Sequence, residues 1–182
     1  MINNDVLRRI RFTFDLNDDK MMAIFKLGGL PATREQISDW LKRDEDPAFQ
    51  VCKDVEMAVF LNGFIIKNRG TKGDAVPEPE QRLTNNMIFK KLKIALNMKD
   101  DDVLAILTAA ECPISKHELS AFFRSPGHKH YRECKDQLLR NFLKGLQLSK
   151  TSKALTTTTT SAASTNSIAS TAAKVPQGKR ES

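Results

Sequence analysis

An internal duplication constrains this chain more than any other feature. Residues 3–66 align without a gap to residues 85–148, at a constant shift of 82 residues (Asn85 minus Asn3). The matches include whole runs: Asn3-Asn4 on Asn85-Asn86, Asp18-Asp19 on Asp100-Asp101, and Cys52-Lys53-Asp54 on Cys134-Lys135-Asp136. A gapless register of this length indicates two copies of one structural unit.

Each copy has the apolar periodicity of helices. In the first helix, apolar residues recur on one face at about 100° per residue. They are Val6, Leu7, Ile10 and Phe14, matched by Ile88, Phe89, Leu92 and Leu96. We predict this helix over about residues 4–14, with an asparagine as its N-cap. A second helix begins at residue 17 or 18, and Gly28 with Gly29 closes it.

Two further helices complete the unit. A capping box predicts the start of the third helix, because its two side chains satisfy each other's free backbone donors: Thr33 with Gln36, and Ser115 with Glu118. The fourth helix is predicted over about residues 47–67. Gly63 and its match Gly145 lie inside it, and glycine there costs roughly 1 kcal/mol against alanine. These glycines therefore indicate close helix packing.

The fold class is all-α, a tandem duplication of a four-helix unit. The first repeat covers residues 1–70, a linker with two prolines 71–82, and the second repeat 83–148. A Ser/Thr/Ala-rich tail, residues 149–182, has almost nothing large to bury, so it is predicted to be disordered. Each repeat alone would bury only about 60% of its surface, so we expect the two to dock with approximate two-fold symmetry.

Charge is distributed unevenly along the chain. The net charge is +7, to which the first repeat contributes nothing, the linker −1, the second repeat +4 and the tail +4. Because more than half of the excess lies in the tail, bulk charge supports nucleic-acid binding only weakly.

The sequence also predicts the cellular environment. It contains no apolar run of about 18 residues, and its opening residues lack the apolar segment of a signal peptide, which predicts a cytoplasmic protein. The three cysteines, Cys52, Cys112 and Cys134, include no CxxC pair and are expected to be reduced thiols.

The duplicated segments NNDVLRRIRFTFDLNDDKMMAIFKLGG, TREQISDWLKR and FLNGFI resemble the YehS-like family of small bacterial cytoplasmic proteins. The resemblance covers about residues 1–148 and excludes the tail. It implies a domain of unknown function present in two copies, and it carries over no activity, substrate or catalytic residue.

Two basic triplets occupy matched positions, RRIRF at residues 8–12 and KKLKI at residues 90–94. On a helical wheel the cations surround Phe12 or Ile94, on the side away from the apolar stripe. Such a face is a candidate for phosphate contact and base stacking. Its residues are Arg8, Arg9, Arg11, Phe12, Lys90, Lys91 and Lys93. The alternative is a solvated helix face, with Phe12 and Ile94 packed against the other repeat.

The second and third helices are also a candidate helix-turn-helix. In the first repeat Glu35 and Asp39 would repel phosphates, so only the second repeat suits DNA. Lys116 and Arg124 therefore join the candidate nucleic-acid-binding residues, with His117 and Ser120 beside them. The alternative is an ordinary pair of capped bundle helices.

Other clusters are weaker candidates. His128, His130 and Cys134 have a spacing that metal sites use, but the matched Cys52 belongs to a core stripe. No catalytic, cofactor or small-molecule motif occurs, so we expect a non-enzymatic protein without a cofactor and without a membrane partner.

Two hypotheses of function follow. The first is a nucleic-acid-binding or regulatory protein that contacts DNA or RNA through its basic helix faces. The other is a protein–protein interaction adaptor, binding a partner or itself, through apolar surfaces that include Phe12, Ile94, Phe64 and Leu146.

Overall fold

The computed structural model describes residues 1–71 and 76–163, with side chains described as far as residue 152. Within those ranges the chain forms eight α-helices and no strand, which confirms the all-α fold class. The first repeat contains α1 (Asn3–Thr13), α2 (Asp18–Leu27), α3 (Arg34–Leu41) and α4 (Asp54–Arg69). The second repeat contains α5 (Asn85–Ala95), α6 (Asp100–Ala109), α7 (Lys116–Phe122) and α8 (Asp136–Ala163).

The predicted boundaries of the second and third helices are confirmed. Asn17 caps α2 by accepting a hydrogen bond from the backbone N–H of Lys20 at 2.9 Å, and Gly28 is its C-cap. Thr33 and Gln36 form the reciprocal capping box of α3, and the matched box of the second repeat begins α7 in the same way. The same side-chain chemistry therefore sets the start of the third helix in both copies, whereas the caps of α2 have no equivalent at the matched residues Lys99 and Ala110.

The predicted asparagine N-cap of the first helix is wrong. Ile2 is the N-cap residue of α1, and Asn4 lies inside the first turn, where it is fully buried. The Asn4 amide donates to the carbonyl oxygens of Trp40 and Gln50 at 2.8 Å each, and its Oδ1 accepts from the backbone N–H of Cys52 at 3.0 Å. Asn4 is thus a tertiary anchor for the loop that follows α3.

This anchor also corrects the predicted start of the fourth helix. Helix α4 begins at Asp54 rather than near residue 47, because residues 50 and 52 give their backbone groups to Asn4 instead of to a helix. Asn86 holds the matched loop of the second repeat through Phe122, Arg132 and Cys134, at 2.8–2.9 Å.

The hydrophobic core runs through both repeats. The predicted stripe of α1 is confirmed for Val6, Leu7 and Ile10, which are buried, as are the matched residues of α5. Phe14 and its match Leu96 are C-cap residues and only half-buried against the core. The ring of Phe25 lies at the centre of the first repeat, with its centroid 5.1 Å from that of Trp40 and 5.1 Å from that of Phe60. Burial of such aromatic side chains is the main stabilising contribution in a domain of this size.

Glycines allow α2 and α4 to approach closely, as the sequence predicts. A β-carbon at Gly63 would lie 1.8 Å from the carbonyl oxygen of Ile24, and one at Gly145 would lie 2.2 Å from that of Ile106. Only glycine leaves space for this backbone contact, so the interior glycine of the fourth helix is required in each repeat.

Reciprocal contacts join the repeats within Met1–Lys150, which forms one compact unit. Helix α4 packs against α5. Asp54 Oδ2 accepts a hydrogen bond from the backbone N–H of Leu83 at 3.0 Å, and the matched Asp136 accepts one from the amino group of Met1. Because Leu83 and Met1 are themselves matched positions, the two repeats exchange the same contact, as the expected two-fold relation requires.

Helix α8 continues to Ala163, past the predicted boundary at residue 148. No proline or glycine interrupts the chain between Gly145 and Ala163, so nothing in that segment forces the helix to end. The remainder of the predicted disordered tail, residues 164–182, lies outside the described residues.

Candidate nucleic-acid interface

Ion pairs occupy much of the basic triplet on α1. Arg8 donates to Asp5 at 2.6 Å, lies 3.6 Å from Asp44 and also donates to the carbonyl oxygen of Lys42. Arg9 is exposed and has no partner among the described residues. The triplet therefore does not present three free cations.

The third cation of each triplet has the same structural partner in both repeats. Arg11 pairs with Asp18 at 2.6 Å, and the matched Lys93 pairs with Asp100. Both aspartates lie in the first turn of the following helix, where the helix dipole favours negative charge. Lys93 also lies 4.8 Å from the ring centroid of Phe123. These cations stabilise the junction between the first two helices of each repeat.

The triplet on α5 is neutralised differently. Lys91 pairs with Glu80 of the linker at 2.9 Å and donates to the side-chain oxygen of Asn62. Lys90 is exposed and has no described partner. Since Lys90 matches Arg8 rather than Arg9, the two free cations are not at equivalent positions, and the triplets do not form one repeated site.

The apolar residue at the centre of each triplet is exposed. Phe12 has 72% of its surface accessible, and Ile94 has 37%. The interpretation that packs them against the other repeat does not fit Phe12, whose ring borders an open cavity of about 530 Å³ together with Leu16 and Leu41. The adaptor hypothesis is corrected in another respect: Phe64 and Leu146 are 2% and 3% exposed, because both face the core, so they offer no surface.

The first residue of the third helix is also neutralised in both repeats. Arg34 pairs with Asp19 at 2.6 Å, and the matched Lys116 pairs with Asp101 at 3.2 Å. Each acid comes from the first turn of the preceding helix. Lys116, one of the predicted nucleic-acid-binding residues, therefore shares its charge with an exposed aspartate.

The two repeats differ at the end of the third helix. In the first repeat Lys42 pairs with Asp39 at 2.6 Å, a contact that raises the pKa of Lys42. In the second repeat the matched Arg124 has Ala121 in place of that aspartate, and Arg124 has no ion pair among the described residues. Arg124 is thus a predicted site residue whose charge remains free.

Arg124 lines a cavity of about 520 Å³ on the second repeat. We call this area the α7 surface, and its polar and aromatic members are His117, Glu118, Arg124, His130, Tyr131 and Arg132. The acidic residue of this surface is Glu118, and its carboxylate already pairs with Nη1 of Arg132 at 2.8 Å. The backbone N–H of Ser115, followed by Arg132, holds the pKa of Glu118 below its ordinary value. The α7 surface is therefore an open depression with a cationic lining.

Charge at this location is opposite in the two repeats. Residues 116–132 contain four cations and one acid, a net charge of +3 with histidines neutral, whereas the matched residues 34–50 contain three cations and five acids, a net charge of −2. All three histidines of the chain also lie in residues 116–132. From the sequence, Lys116, His117 and Arg124 were assigned to a nucleic-acid surface here, whereas His130 was considered only as a metal ligand. Tyr131 and Arg132 were missed, and a position-by-position comparison of the repeats would have found them.

The predicted metal-binding spacing does not become a site. Cys134 is buried, its backbone N–H donates to Asn86 at 2.9 Å, and burial raises the pKa of its thiol to about 12. His130 instead donates its backbone N–H to Nδ1 of His128 at 3.1 Å. Among the described residues no three His, Cys, Asp or Glu side chains are arranged to hold a metal ion.

The helices and the α7 surface define a tandem-duplicated, all-helical protein whose repeats carry opposite charge at matched positions. The chain belongs to the family described as "Protein of unknown function (DUF1456)", whose model matches residues 3–70 and 85–151 and so covers both repeats. It is 45% identical over 148 residues to "Uncharacterized protein YehS" of Escherichia coli (strain K12), across 80% of this chain and 94% of that protein. The resemblance to a YehS-like family is thereby confirmed. No solved structure matches the chain.

The described helices also bear on membrane insertion. None of them combines the length and the apolar character that crossing a bilayer requires.

Proposed function

We propose that the protein binds single-stranded nucleic acid through the α7 surface. The observation that carries the proposal is the change at matched positions that leaves Arg124 without the acid that neutralises Lys42. Residues that only support the shared fold keep their ion partners in both repeats, as Arg11 and Lys93 do. Arg124 lacks the ion partner that its match Lys42 has, so its charge is not required by the shared fold.

The chemistry of the α7 surface suits a phosphate backbone. Arg124 presents a planar guanidinium group, which can bind phosphate oxygens in a bidentate manner, and Arg132 adds positive charge beside it while one of its nitrogens pairs with Glu118. Half-buried Tyr131, the one tyrosine of the chain, lies beside them as a ring on which a base can stack. Exposed Lys129 lies in the adjacent loop and has no described ion pair. Cations around an aromatic ring are the usual composition of a surface that binds single strands.

The test is fluorescence anisotropy with a labelled oligothymidine of 20 nucleotides over a series of salt concentrations. We compare Arg124→Gln/Lys129→Gln with Arg9→Gln/Lys90→Gln. Each pair removes one arginine and one lysine that lack ion partners. We expect the first pair to reduce the slope of log affinity against log salt by about 1.4, since each lost phosphate contact on a single strand changes it by about 0.7.

The control pair lies on α1 and α5, outside the α7 surface, and is expected to leave that slope unchanged. A slope that falls only in the Arg9→Gln/Lys90→Gln protein would overturn the assignment to the α7 surface. Absence of binding by the unmodified protein at 50 mM salt would overturn nucleic-acid binding itself.

A second candidate function is self-association through Phe12, favoured by the 72% exposure of its ring. Arg9 lies three residues before Phe12 and Asp15 three residues after it, and neither side chain has a described ion partner. Opposite charges on either side of one apolar ring are self-complementary in a two-fold contact. Sedimentation velocity at increasing protein concentration tests this: we expect a dimer that Phe12→Ser abolishes, and a monomer at all concentrations would exclude it.

A further inference from the structure

A cleft lies at the junction between the two repeats, apart from the α7 surface. It has a volume of about 480 Å³ and is bordered by the second half of α4, the end of α5 and the linker. The residues that determine its chemistry are Asn62, Ile65, Ile66, Arg69, Pro77 and Ile94.

The walls of the cleft are apolar. Ile65 and Ile66 are half-buried side chains of α4, Ile94 of α5 is 37% exposed, and Pro77 closes the side formed by the linker. A ligand that covered these side chains would remove apolar surface from water, which favours binding. The walls therefore select for an apolar group.

The linker side of the cleft is held in place by hydrogen bonds. Buried Asn62 donates its amide to the carbonyl oxygen of Pro77 at 3.2 Å and accepts from Lys91. Lys91 pairs in turn with Glu80 at 2.9 Å. These contacts fix the described end of the linker to both α4 and α5, and they neutralise Lys91. The wall is thus formed before any ligand arrives.

One charge at the cleft has no counter-charge within the described part of the chain. The guanidinium of Arg69 donates from Nη1 to the carbonyl oxygen of Ile94 at 3.2 Å, and it contacts no carboxylate among the described residues. This single contact leaves several of its donors available at the mouth of the cleft. The cleft therefore combines an apolar interior with a cation that no described carboxylate neutralises.

The second repeat does not reproduce this combination. The positions matched to Asn62, Ile65 and Arg69 are occupied by lysine, glutamine and threonine: Lys144, Gln147 and Thr151. The fold alone thus does not require an arginine or an apolar wall at these positions. The composition of the cleft is specific to the first repeat.

We propose that this cleft binds a small amphipathic anion, with its apolar part against Ile65, Ile66 and Ile94 and its carboxylate paired with Arg69. The proposal is independent of the α7 surface, which lies on the second repeat.

The test uses two probes of equal chain length, octanoate and 1-octanol, by isothermal titration calorimetry on the full chain. We expect both to bind with 1:1 stoichiometry. Arg69→Gln weakens the affinity for octanoate by about tenfold, as loss of a hydrogen bond to a charged group predicts, and leaves that for 1-octanol unchanged. Ile66→Glu weakens both, because it places a charge in the apolar wall.

The matched control is Arg43→Gln, which removes the same charge from an exposed position after α3 and is expected to change neither affinity. Thermal unfolding of each variant establishes that it is folded. Absence of octanoate binding by the unmodified protein would overturn the proposal. So would an equal loss of octanoate affinity in Arg43→Gln and Arg69→Gln, which would indicate general charge attraction.

Discussion

The α-carbon of Gly63 lies so close to Ile24 that a β-carbon placed on it would be 1.8 Å from the carbonyl oxygen of Ile24. Gly63→Ala must therefore push α2 and α4 apart. We expect it to lower the free energy of unfolding by at least about 2 kcal/mol, as overpacking against rigid backbone does. Urea denaturation monitored by circular dichroism measures this.

The matched control for that substitution is Gly127→Ala. A β-carbon at Gly127 would meet nothing within 4 Å, so we expect a change within about 0.5 kcal/mol. Equal effects of the two substitutions would contradict the close contact between α2 and α4.

Replacing the buried asparagine anchor destabilises the first repeat. Asn4→Ala leaves the carbonyl oxygens of Trp40 and Gln50 and the N–H of Cys52 without their partner. We expect a loss of about 2–4 kcal/mol in the free energy of unfolding, because buried polar groups left unsatisfied cost about 1–3 kcal/mol each and part of the loop can rehydrate. Asn68→Ala, at an exposed position on α4, is the control. A loss below about 1 kcal/mol for Asn4→Ala would contradict its role as an anchor.

We expect the three cysteine thiols to differ in their rates of reaction with a disulfide reagent. Burial, followed by the nearby Glu56 and Asp54, raises the pKa of Cys52, and burial raises that of Cys134 to about 12. Since only a thiolate attacks a disulfide reagent, we expect the native protein at pH 8 to react rapidly at half-buried Cys112 alone. Absorbance after addition of Ellman's reagent counts the thiols. In Cys112→Ser the rapid phase disappears, and a rapid phase that persists would show that a second thiol is open.

Acid destabilises the protein in part through Asp136. The hydrogen bond from the amino group of Met1, followed by that from Asn85, holds the pKa of Asp136 below its ordinary value of 3.8. A carboxyl group with a lowered pKa in the folded state contributes stability that is present above its unfolded pKa, about 3.9, and is lost as the pH falls through the folded pKa. We therefore expect Asp136→Asn to lose less stability than the unmodified protein between pH 6 and pH 3.

Glu45→Gln is the control for that substitution. Glu45 is exposed and has no described ion partner, so its replacement is expected to leave the pH dependence of unfolding as it is in the unmodified protein. If the stability of Asp136→Asn had the same pH dependence as that of the unmodified protein, this would contradict the contact between Asp136 and Met1.

The sequence predicts the elements whose signals are local. The capping box at Thr33, the closing glycine at residue 28 and the apolar stripe of α1 depend on residues within a few positions of one another, and all are confirmed. The interior glycine at residue 63 was also predicted to mark close packing, because glycine inside a helix has a cost that needs a reason.

Prediction from the sequence was wrong where one side chain could form hydrogen bonds either to neighbouring or to distant backbone groups. An asparagine at the start of a helix is a favourable cap, yet Asn4 bonds to a loop 36 to 48 residues away. That choice moved the start of the last helix of the repeat from residue 47 to Asp54. Periodicity carries no information about which distant backbone groups need a partner.

By itself the sequence determined the duplication, the all-α fold and the matched positions of the repeats, because these follow from short-range pattern and self-similarity. Only the tertiary structure decided which cations remain free. The sequence places Arg8, Arg11 and Lys93 in apparently equivalent basic faces with Arg9 and Lys90, but carboxylates neutralise the first three. Asp18 and Asp100 of the following helices pair with Arg11 and Lys93, and Arg8 pairs with Asp5 of its own helix and lies 3.6 Å from Asp44 of the loop after α3. Charge acts over a few ångströms in space rather than along the chain, so a cation's availability depends on which acids the fold brings beside it.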